Sequence, residues 1–356
     1  ILPRLWEVAP RTYVLLERVI AANLDVLFPG MEVDSHYLFR VTRNADLDIE
    51  EDEADDLLLA MEEELRRRRF GAVVRLETER SMPNETRALL MRGRALDPAN
   101  VYEIRGMLDL RGLGTIADLD MPELQPEPWN PVTPPRLTLR EEEEEEGVDM
   151  FARIREGDIL VHHPYESFTT SVQRLIQQAA EDPDVLTIKM TLYRTSGDSP
   201  IVHSLIRAAE SGKQVVVLVE IKARFDERAN LVWAKALERA GVHVAYGLQR
   251  LKTHSKIALV IRRESGGLRR YAHIGTGNYH HKTARIYTDL GLLTADRTLT
   301  GDVTDLFNVL TGVAKKDKYR ELLVAPKSMR PMLEELIDGE VERHREHGDG
   351  RIIIKC

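Results

Sequence analysis

Cysteine is nearly absent from this chain of 356 residues, since Cys356 is the only one. A framework of intramolecular disulfides is therefore excluded, and a reducing compartment such as the cytoplasm is favoured. Long hydrophobic runs are missing too. The apolar stretches have the length of strands, well short of the roughly 20 residues that a membrane-spanning helix requires. The sequence thus predicts no transmembrane helix.

An excess of positive charge is also lacking, because the formal net charge is −9. This argues against a protein that coats nucleic acid, whose electrostatic signature is a basic excess. The acidic residues are concentrated in segments such as Asp46–Asp56 and Glu141–Glu146, whereas Lys189–Arg285 contains many lysines, arginines and histidines. We expect an anionic ligand to bind within that basic stretch.

The length exceeds that of one compact domain, so two domains are predicted. Alternating extended and helical patterns over residues 36–110 predict a small mixed α/β layer. Prolines cluster between Met121 and Pro135, which indicates a linker. From Ile159 onward, apolar runs alternate with helical segments and predict βαβ units in a mostly parallel sheet, to which a hairpin with a turn at Gly266–Gly267 is added.

The tail after Lys318 contains an apolar segment, Glu321–Val324, that we interpret as a strand, and a helical pattern over Met329–Arg343. The chain begins with Ile1 rather than methionine and ends just after the apolar run Ile352–Ile354. We therefore expect it to be part of a longer protein.

Basic side chains follow the predicted strands at the end where ligands bind in open α/β sheets. These residues are Arg194 after the first strand, Lys222 and Arg224 after the second, and Lys252, His254 and Lys256 in the loop after the third. Guanidinium groups bind phosphate through paired hydrogen bonds, and lysines add compact positive charge. The pattern predicts a phosphate pocket.

The spacing His254-Ser255-Lys256, followed by Gly275-Thr276-Gly277-Asn278, resembles the HxK and GxxN signature of the phospholipase D superfamily. In that signature a histidine nitrogen attacks phosphorus, while lysine and asparagine hold the phosphoryl oxygens. We expect Gly275 and Gly277 to let backbone amides approach an anion closely. The aspartate usual five residues after the lysine is replaced by Ile261, which indicates a particular branch.

Six stretches, which include parts of this signature, match one branch of that superfamily in order. They are His162–Phe168, Thr191–Ser199, Lys222–Glu227, Lys252–His254, Gly275–Tyr279 and Lys282–Asp289. On these residues the chain resembles the polyphosphate kinase family over nearly its whole length. The resemblance implies an enzyme that reversibly transfers the terminal phosphate of ATP to inorganic polyphosphate, through a phosphohistidine at His254.

The same resemblance implies roles for further residues. Lys256 and Asn278 would complete the catalytic group, and Tyr287 corresponds to a tyrosine that contacts the nucleotide. Lys222 and Lys252 would bind phosphate. Arg194 and Arg224 correspond to positions associated with Mg²⁺, but an arginine has no lone pair for a metal, so we expect them to hold the phosphates that share the ion. The implied ligands are ATP, ADP, polyphosphate and Mg²⁺, with no nucleic acid.

The resemblance also implies an α/β (α+β) fold class, with a head domain of mixed α/β layers followed by a phospholipase D-like mixed-sheet catalytic domain. Residues 1–140 would be the head domain, 141–318 the first catalytic domain and 319–356 the start of a second. An amino-terminal helical domain and the rest of the second catalytic domain would be missing, so the chain is expected to be a poor kinase alone. A cytoplasmic location, alternatively peripheral to the membrane, and a homo-oligomeric parent are also implied.

Two other functions stay open. A phosphodiesterase or nuclease of the phospholipase D type would use the same histidine and lysine without ATP. A non-catalytic module would bind polyphosphate and never carry phosphate on histidine. Labelling that depends on ATP separates both from a kinase.

Several residues have a structural interpretation that competes with a functional one. His254 could be a packed core histidine, but its basic neighbours favour catalysis. The pairs His162-His163 and His280-His281 lack accompanying cysteines and do not favour a zinc site. Trp233 is interpreted as packing. Asp226 and Glu227 are interpreted as helix-capping residues, with an acid/base role as the alternative.

Overall fold

The computed structural model describes residues 2–45, 57–67, 70–140, 147–193, 198–220, 227–247 and 251–354. The glutamate run 141–146 and the site candidates Arg194, Lys222 and Arg224 lie outside these ranges. The chain divides into two compact units, Ile1–Pro128 and Trp129–Cys356. The boundaries expected near residues 140 and 318 stay predictions. Within the described ranges, no helix combines the length and the apolar character needed to cross a bilayer.

The first unit is built on a three-stranded sheet. Its elements are β1 (Leu5–Ala9), β2 (Thr12–Leu15), α1 (Leu16–Ala21), α2 (Leu24–Leu27), β3 (Phe39–Arg43), α3 (Leu57–Arg67), β4 (Val73–Glu79), α4 (Asn84–Arg92), β5 (Val101–Ile104) and α5 (Gly114–Ala117). In the sheet, β4 is antiparallel to β3 and parallel to β5. Leu76 of β4 and Met61 of α3 are buried in its core. The predicted mixed α/β character is confirmed.

The second unit contains a seven-stranded sheet with helices. Its elements are α6 (Met150–Arg155), β6 (Ile159–His163), α7 (Arg174–Glu181), β7 (Val185–Leu192), α8 (Pro200–Glu210), β8 (Gln214–Val219), α9 (Glu227–Arg239), β9 (His243–Ala245), β10 (Lys256–Glu264), β11 (Gly267–Gly275), β12 (Asp289–Thr294), α10 (Arg297–Leu310) and α11 (Met329–His347).

The prediction of a mostly parallel sheet is wrong. The strand order is β6-β12-β11-β10-β7-β8-β9, and only β7, β8 and β9 pair in parallel. The hairpin of β10 and β11 inserts beside β7, and β12 and β6 follow it with antiparallel pairing. The hairpin turn itself is confirmed, with Gly267 at φ +106°.

Antiparallel pairing brings the ends of different strands together at one edge of the sheet, which we call the Leu192 end. The carboxyl ends of β7, β8 and β11 and the amino ends of β10 and β12 lie there, because Lys256 is paired with Gly275 and Ala258 with Met190. One face of β10 and β11 packs on α10, where Leu259, Ala272 and Phe307 are buried together. Successive side chains of a strand point to opposite faces of the sheet, so Lys256, which precedes Ile257, lies on the face opposite α10.

The prediction of a strand at Glu321–Val324 is also wrong. The backbone amides of Arg320, Glu321 and Leu322 donate to one carboxylate oxygen of Asp302, at 2.8, 2.7 and 3.3 Å, instead of to a neighbouring strand. The other oxygen accepts the Arg320 Nε at 3.0 Å. Asp302 lies on α10 and is fully buried. A side chain on a helix therefore accepts the hydrogen bonds that these amides would donate to a neighbouring strand if the segment were part of a sheet.

Replacing Asp302 with alanine is expected to destabilise the protein. The change leaves three backbone amides and a guanidinium without their acceptor, which costs about 3 kcal/mol. Chemical denaturation followed by circular dichroism measures the loss. Asp305→Ala is the matched control, because this partly exposed carboxylate forms ion pairs with the side chains of Lys316 and Arg320, and such pairs are worth about 1 kcal/mol or less. Equal losses in the two variants would contradict the role given to Asp302.

The effect of Asp302→Ala is expected to depend on pH. Burial alone raises the pKa of Asp302, but the hydrogen bonds from the Glu321 amide, the Arg320 side chain and the other amides outweigh it, so its pKa is lowered. A lowered pKa stabilises the fold above the unfolded-state value of about 3.9, and this contribution is lost as the pH falls through the folded-state value. The difference in stability between wild type and variant should therefore be constant near neutral pH and shrink below about pH 4.

Candidate active site

His254 lies in the loop that leads into β10 at the Leu192 end, and it is exposed. Its ring contacts the Tyr193 ring edge to face, with centroids 5.1 Å apart and planes at 78°. The Lys256 ammonium donates a hydrogen bond to the His254 carbonyl oxygen and lies 5.0 Å from the centroid of Tyr193. A histidine, a lysine and an aromatic ring thus form one contact group.

Side chains from the neighbouring strands hold this loop. The Thr191 hydroxyl donates to the Ser255 carbonyl at 2.8 Å and accepts the Ile257 amide at 3.1 Å. The Thr253 amide donates to Glu220 Oε2 at 2.9 Å. The backbone on both sides of His254 is therefore tied to the carboxyl ends of β7 and β8.

The Gly275–Asn278 turn is fixed by β12. The Thr276 amide donates to the Leu290 carbonyl at 2.9 Å, and the Thr276 hydroxyl donates to Asp289 Oδ1 at 2.8 Å. Because Gly275 is paired with Lys256, this turn leaves the sheet beside the His254 loop. The carboxamide oxygen of Asn278 is buried and has no hydrogen-bond partner among the described residues.

The two glycines of the turn are required by neighbouring side chains. A Cβ at Gly275 would lie 2.7 Å from Cε1 of His273, and one at Gly277 would lie 2.6 Å from Oδ2 of Asp289. Such distances are far below van der Waals contact. The packing of His273 and Asp289 explains these glycines without an approaching anion, which was the reason expected from the sequence.

His273 is buried behind the turn, 3% exposed. Its Nδ1 lies 2.7 Å from the Tyr279 hydroxyl. Burial, and to a smaller extent the neighbouring His163, lowers the pKa of His273 to about 3. The ring is therefore neutral near pH 7 and adds no positive charge to this end of the sheet.

The remaining predicted residues that the structure describes are on the surface. Lys252 is exposed, and Tyr287 is 62% exposed after the short helical turn Thr283–Arg285, where its amide donates to the Thr283 carbonyl at 2.9 Å. Beside His254 runs a groove of about 530 Å³. The lining residues include Thr253, His254, Leu306, Leu310, Val324 and Met329.

Within the described parts of the chain, no group of three or more histidine, cysteine or carboxylate side chains is arranged to hold a metal ion. The nearest carboxylates to the loop and the turn have other partners, since Glu220 accepts the Thr253 amide and Asp289 accepts the Thr276 hydroxyl. The described residues therefore do not fit a metal site formed by protein ligands alone.

Comparison with known proteins gives one consistent result. The family model for polyphosphate kinase middle domain matches residues 1–116, and that for polyphosphate kinase C-terminal domain 1 matches residues 149–316. The chain belongs to the polyphosphate kinase family. It is 57% identical over 343 residues to the polyphosphate kinase of Mycobacterium avium (strain 104), covering 96% of this chain and 46% of that protein.

Two further relatives also belong to the polyphosphate kinases. The polyphosphate kinase of Synechocystis sp. is 56% identical over 363 residues, covering 99% of this chain and 49% of that protein. The crystal structure of the polyphosphate kinase from Porphyromonas gingivalis superposes with a TM-score of 0.73 at 32% identity, over 97% of this chain and 49% of that one. The chain thus spans about half the length of the relatives it matches.

The structure brings together His254 and Lys256, and it puts the Asn278 turn at the same end of the sheet. Arg194, Lys222 and Arg224 cannot be compared, since they lie outside the described residues. Sequence reasoning missed Glu220 and Asn230, which contact the His254 loop or its neighbours. The sequence signal that could have identified Glu220 is its charge, because it directly follows the apolar strand β8.

Gly277→Ala is expected to destabilise the chain by about 1–3 kcal/mol, because the new methyl group overlaps the Asp289 carboxylate. Gly266→Ala is the control, since nothing lies within 4 Å of the position that its Cβ would take, and its effect should stay within about 0.5 kcal/mol. Adding Asp289→Ala to Gly277→Ala should cost less than the sum of the two single changes, because the two closest atoms, Oδ2 and Cγ of Asp289, are removed. Additive losses in thermal unfolding would refute this packing contact.

Proposed function

We propose that the protein to which this chain belongs transfers the terminal phosphate of ATP reversibly to inorganic polyphosphate, and that His254 carries the phosphoryl group. The observation that carries the proposal is the contact of exposed His254 with the buried Lys256 and with Tyr193 at the Leu192 end. Membership of the polyphosphate kinase family supports the reaction class. The geometry supports the histidine as the nucleophile, because its ring faces solvent while its backbone is held.

In the first step a ring nitrogen of His254 attacks the γ-phosphorus of ATP. A P–N bond forms, the bond from that phosphorus to the bridging oxygen breaks, and ADP leaves with the electron pair. In the second step a terminal oxygen of polyphosphate attacks the same phosphorus, and the P–N bond breaks. The chain grows by one phosphate, and the histidine is regenerated for another cycle.

Lys256 and Asn278 would hold the phosphoryl oxygens while negative charge redistributes. An ammonium group has three N–H donors, so its bond to the His254 carbonyl is compatible with a second bond to phosphate. Lys252, Lys222, Arg194 and Arg224 would bind the flanking phosphates. Because the described residues do not form a metal site, Mg²⁺ would arrive as the complex with ATP, and none of these steps needs a protein ligand to it.

Tyr287 would contact the nucleotide. Its ring is exposed and lies two residues before β12, at the same end of the sheet as His254. An aromatic ring in that position can stack on a nucleobase, a contact worth about 1–3 kcal/mol where it has been measured for bases. This chain, which spans about half of its relatives, would be a poorer kinase than the whole protein.

Incubation with γ-labelled ATP and Mg²⁺ is expected to place an acid-labile, base-stable label on the chain, because phosphohistidine has that stability. His254→Ala should abolish the label. His243→Ala is the matched control, since His243 is also exposed but begins the edge strand β9, which β7 and β8 separate from β10 in the sheet. It should retain the label.

Label on the His254→Ala variant would contradict the assignment of the nucleophile. If no variant is labelled, the same three proteins are compared as changes in a full-length relative. Absence of label there as well would exclude a phosphohistidine, whereas its appearance would show that segments beyond this chain are required. Hydrolysis of phosphodiesters without ATP would instead support the phospholipase D-type alternative.

A further inference from the structure

We propose that Glu220 and Asn230 are positioning residues that hold His254 in the orientation for phosphoryl transfer. Neither belongs to the HxK or GxxN signature, and neither touches the reacting atoms in the proposed mechanism. The proposal deepens the proposed function, because it concerns the same nucleophile. It rests on a chain of hydrogen bonds that connects β7, β8 and α9 to the loop before β10.

Glu220 immediately follows β8, where an apolar strand would ordinarily lead into a solvated loop. Its side chain is instead 5% exposed, and its Oε2 accepts the Thr253 amide at 2.9 Å in a buried hydrogen bond. Its own amide donates to the Leu192 carbonyl at 2.9 Å. A buried carboxylate is costly unless it is hydrogen-bonded. The amide that it accepts belongs to the residue next in sequence to His254.

Asn230 lies on the first turns of α9 and is 2% exposed. Its Nδ2 donates to the Tyr193 carbonyl at 2.7 Å and to the Glu220 carbonyl at 2.9 Å. One carboxamide therefore ties the backbone beyond β7 to the backbone beyond β8. An aliphatic side chain in its place would remove the donor from both carbonyls, of which the Glu220 bond is buried and the Tyr193 bond partly buried.

The two residues act on His254 through different neighbours. Glu220 fixes the backbone of the preceding residue, Thr253, and Asn230 fixes the backbone of Tyr193, whose ring lies against the imidazole at a centroid distance of 5.1 Å. An exposed histidine would otherwise sample several rotamers. Because displacement of a reacting group by about 1 Å can cost up to about a hundredfold in rate, this support is expected to matter for transfer.

The test uses potassium phosphoramidate, a small phosphoryl donor that requires no nucleotide. A histidine nitrogen attacks its phosphorus, the P–N bond of the reagent breaks, and ammonia leaves as the new P–N bond forms. The measured quantity is the ratio of initial phosphorylation rates at His254 and at His243, read by mass spectrometry under neutral conditions. His243 is an exposed internal reference on the same molecule, so differences in protein concentration cancel in the ratio, and circular dichroism checks that each variant is folded.

Two matched pairs of variants are compared. Glu220→Leu removes the acceptor at similar volume, whereas Glu220→Gln keeps an oxygen that can accept the Thr253 amide. Asn230→Asp keeps the shape but cannot donate, and Asp296→Ala is the control. Asp296 caps α10 by accepting the amides of Thr298 and Leu299 at 2.9 Å, beyond the carboxyl end of β12 and away from the site.

The ratio is expected to favour His254 in the wild-type chain and in Asp296→Ala. It should fall by about tenfold or more in Glu220→Leu and Asn230→Asp, and by less than about threefold in Glu220→Gln. If Glu220→Leu does not fold, as judged by circular dichroism, Asn230→Asp and Glu220→Gln carry the comparison. An unchanged ratio in a folded Asn230→Asp variant, or no preference for His254 in the wild type, would overturn the proposal.

This readout separates the two proposals. If the ratio depends on Glu220 and Asn230 while ATP labels no histidine even in a full-length relative, the positioning role of the two residues is supported. The proposal that ATP phosphorylates His254 is then wrong. If ATP labels His254 and the ratio is insensitive to both residues, the phosphohistidine mechanism is supported. The positioning role of Glu220 and Asn230 is then wrong.

Discussion

The double pairing of β10 is the constraint on which the candidate site depends. This strand lies between β7 and β11 and is antiparallel to both, and its first five residues are buried. A slip of one residue would turn every side chain of the strand to the other face of the sheet, which two flanking partners prevent. Lys256 is consequently held opposite Gly275, and the His254 loop meets the Gly275–Asn278 turn even though a whole hairpin separates them in sequence.

Irregular segments beside this strand depend on buried carboxylates. A loop amide without an acceptor is costly once it is removed from water. Glu220 accepts the amide of Thr253, and Asp302 accepts those of residues 320–322. Thr253 and Val324 both line the groove next to His254. Glu220, after a strand, and Asp302, on a helix, thus stabilise two backbone segments that reach the same groove. Both acids are in a region where the ligand is expected to be an anion.

Local signals in the sequence predicted the individual elements better than their arrangement. The apolar runs and helical segments predicted from Ile159 onward correspond to elements such as β8 and α8, because hydrophobic periodicity is a local property. Strand direction was mispredicted because the pairing partners are distant in sequence. Glu321–Val324 has a strand's composition but no strand partner. His254, Lys256 and Asn278 could be identified from motif spacing, whereas Glu220 and Asn230 act through backbone groups that no spacing reveals.

Two histidines of the basic stretch differ in accessibility. His254 and His273 both lie in the basic stretch, each within three residues of a candidate motif residue. His273 is 3% exposed, bonded to Tyr279, and packed where Gly275 and Gly291 leave no room for a Cβ. A polyanionic substrate cannot reach that ring without displacing the turn. His254 is exposed on a loop whose backbone is fixed, and with His273 neutral the positive charge in contact with His254 comes from Lys256. Accessibility and charge therefore both favour His254 as the nucleophile.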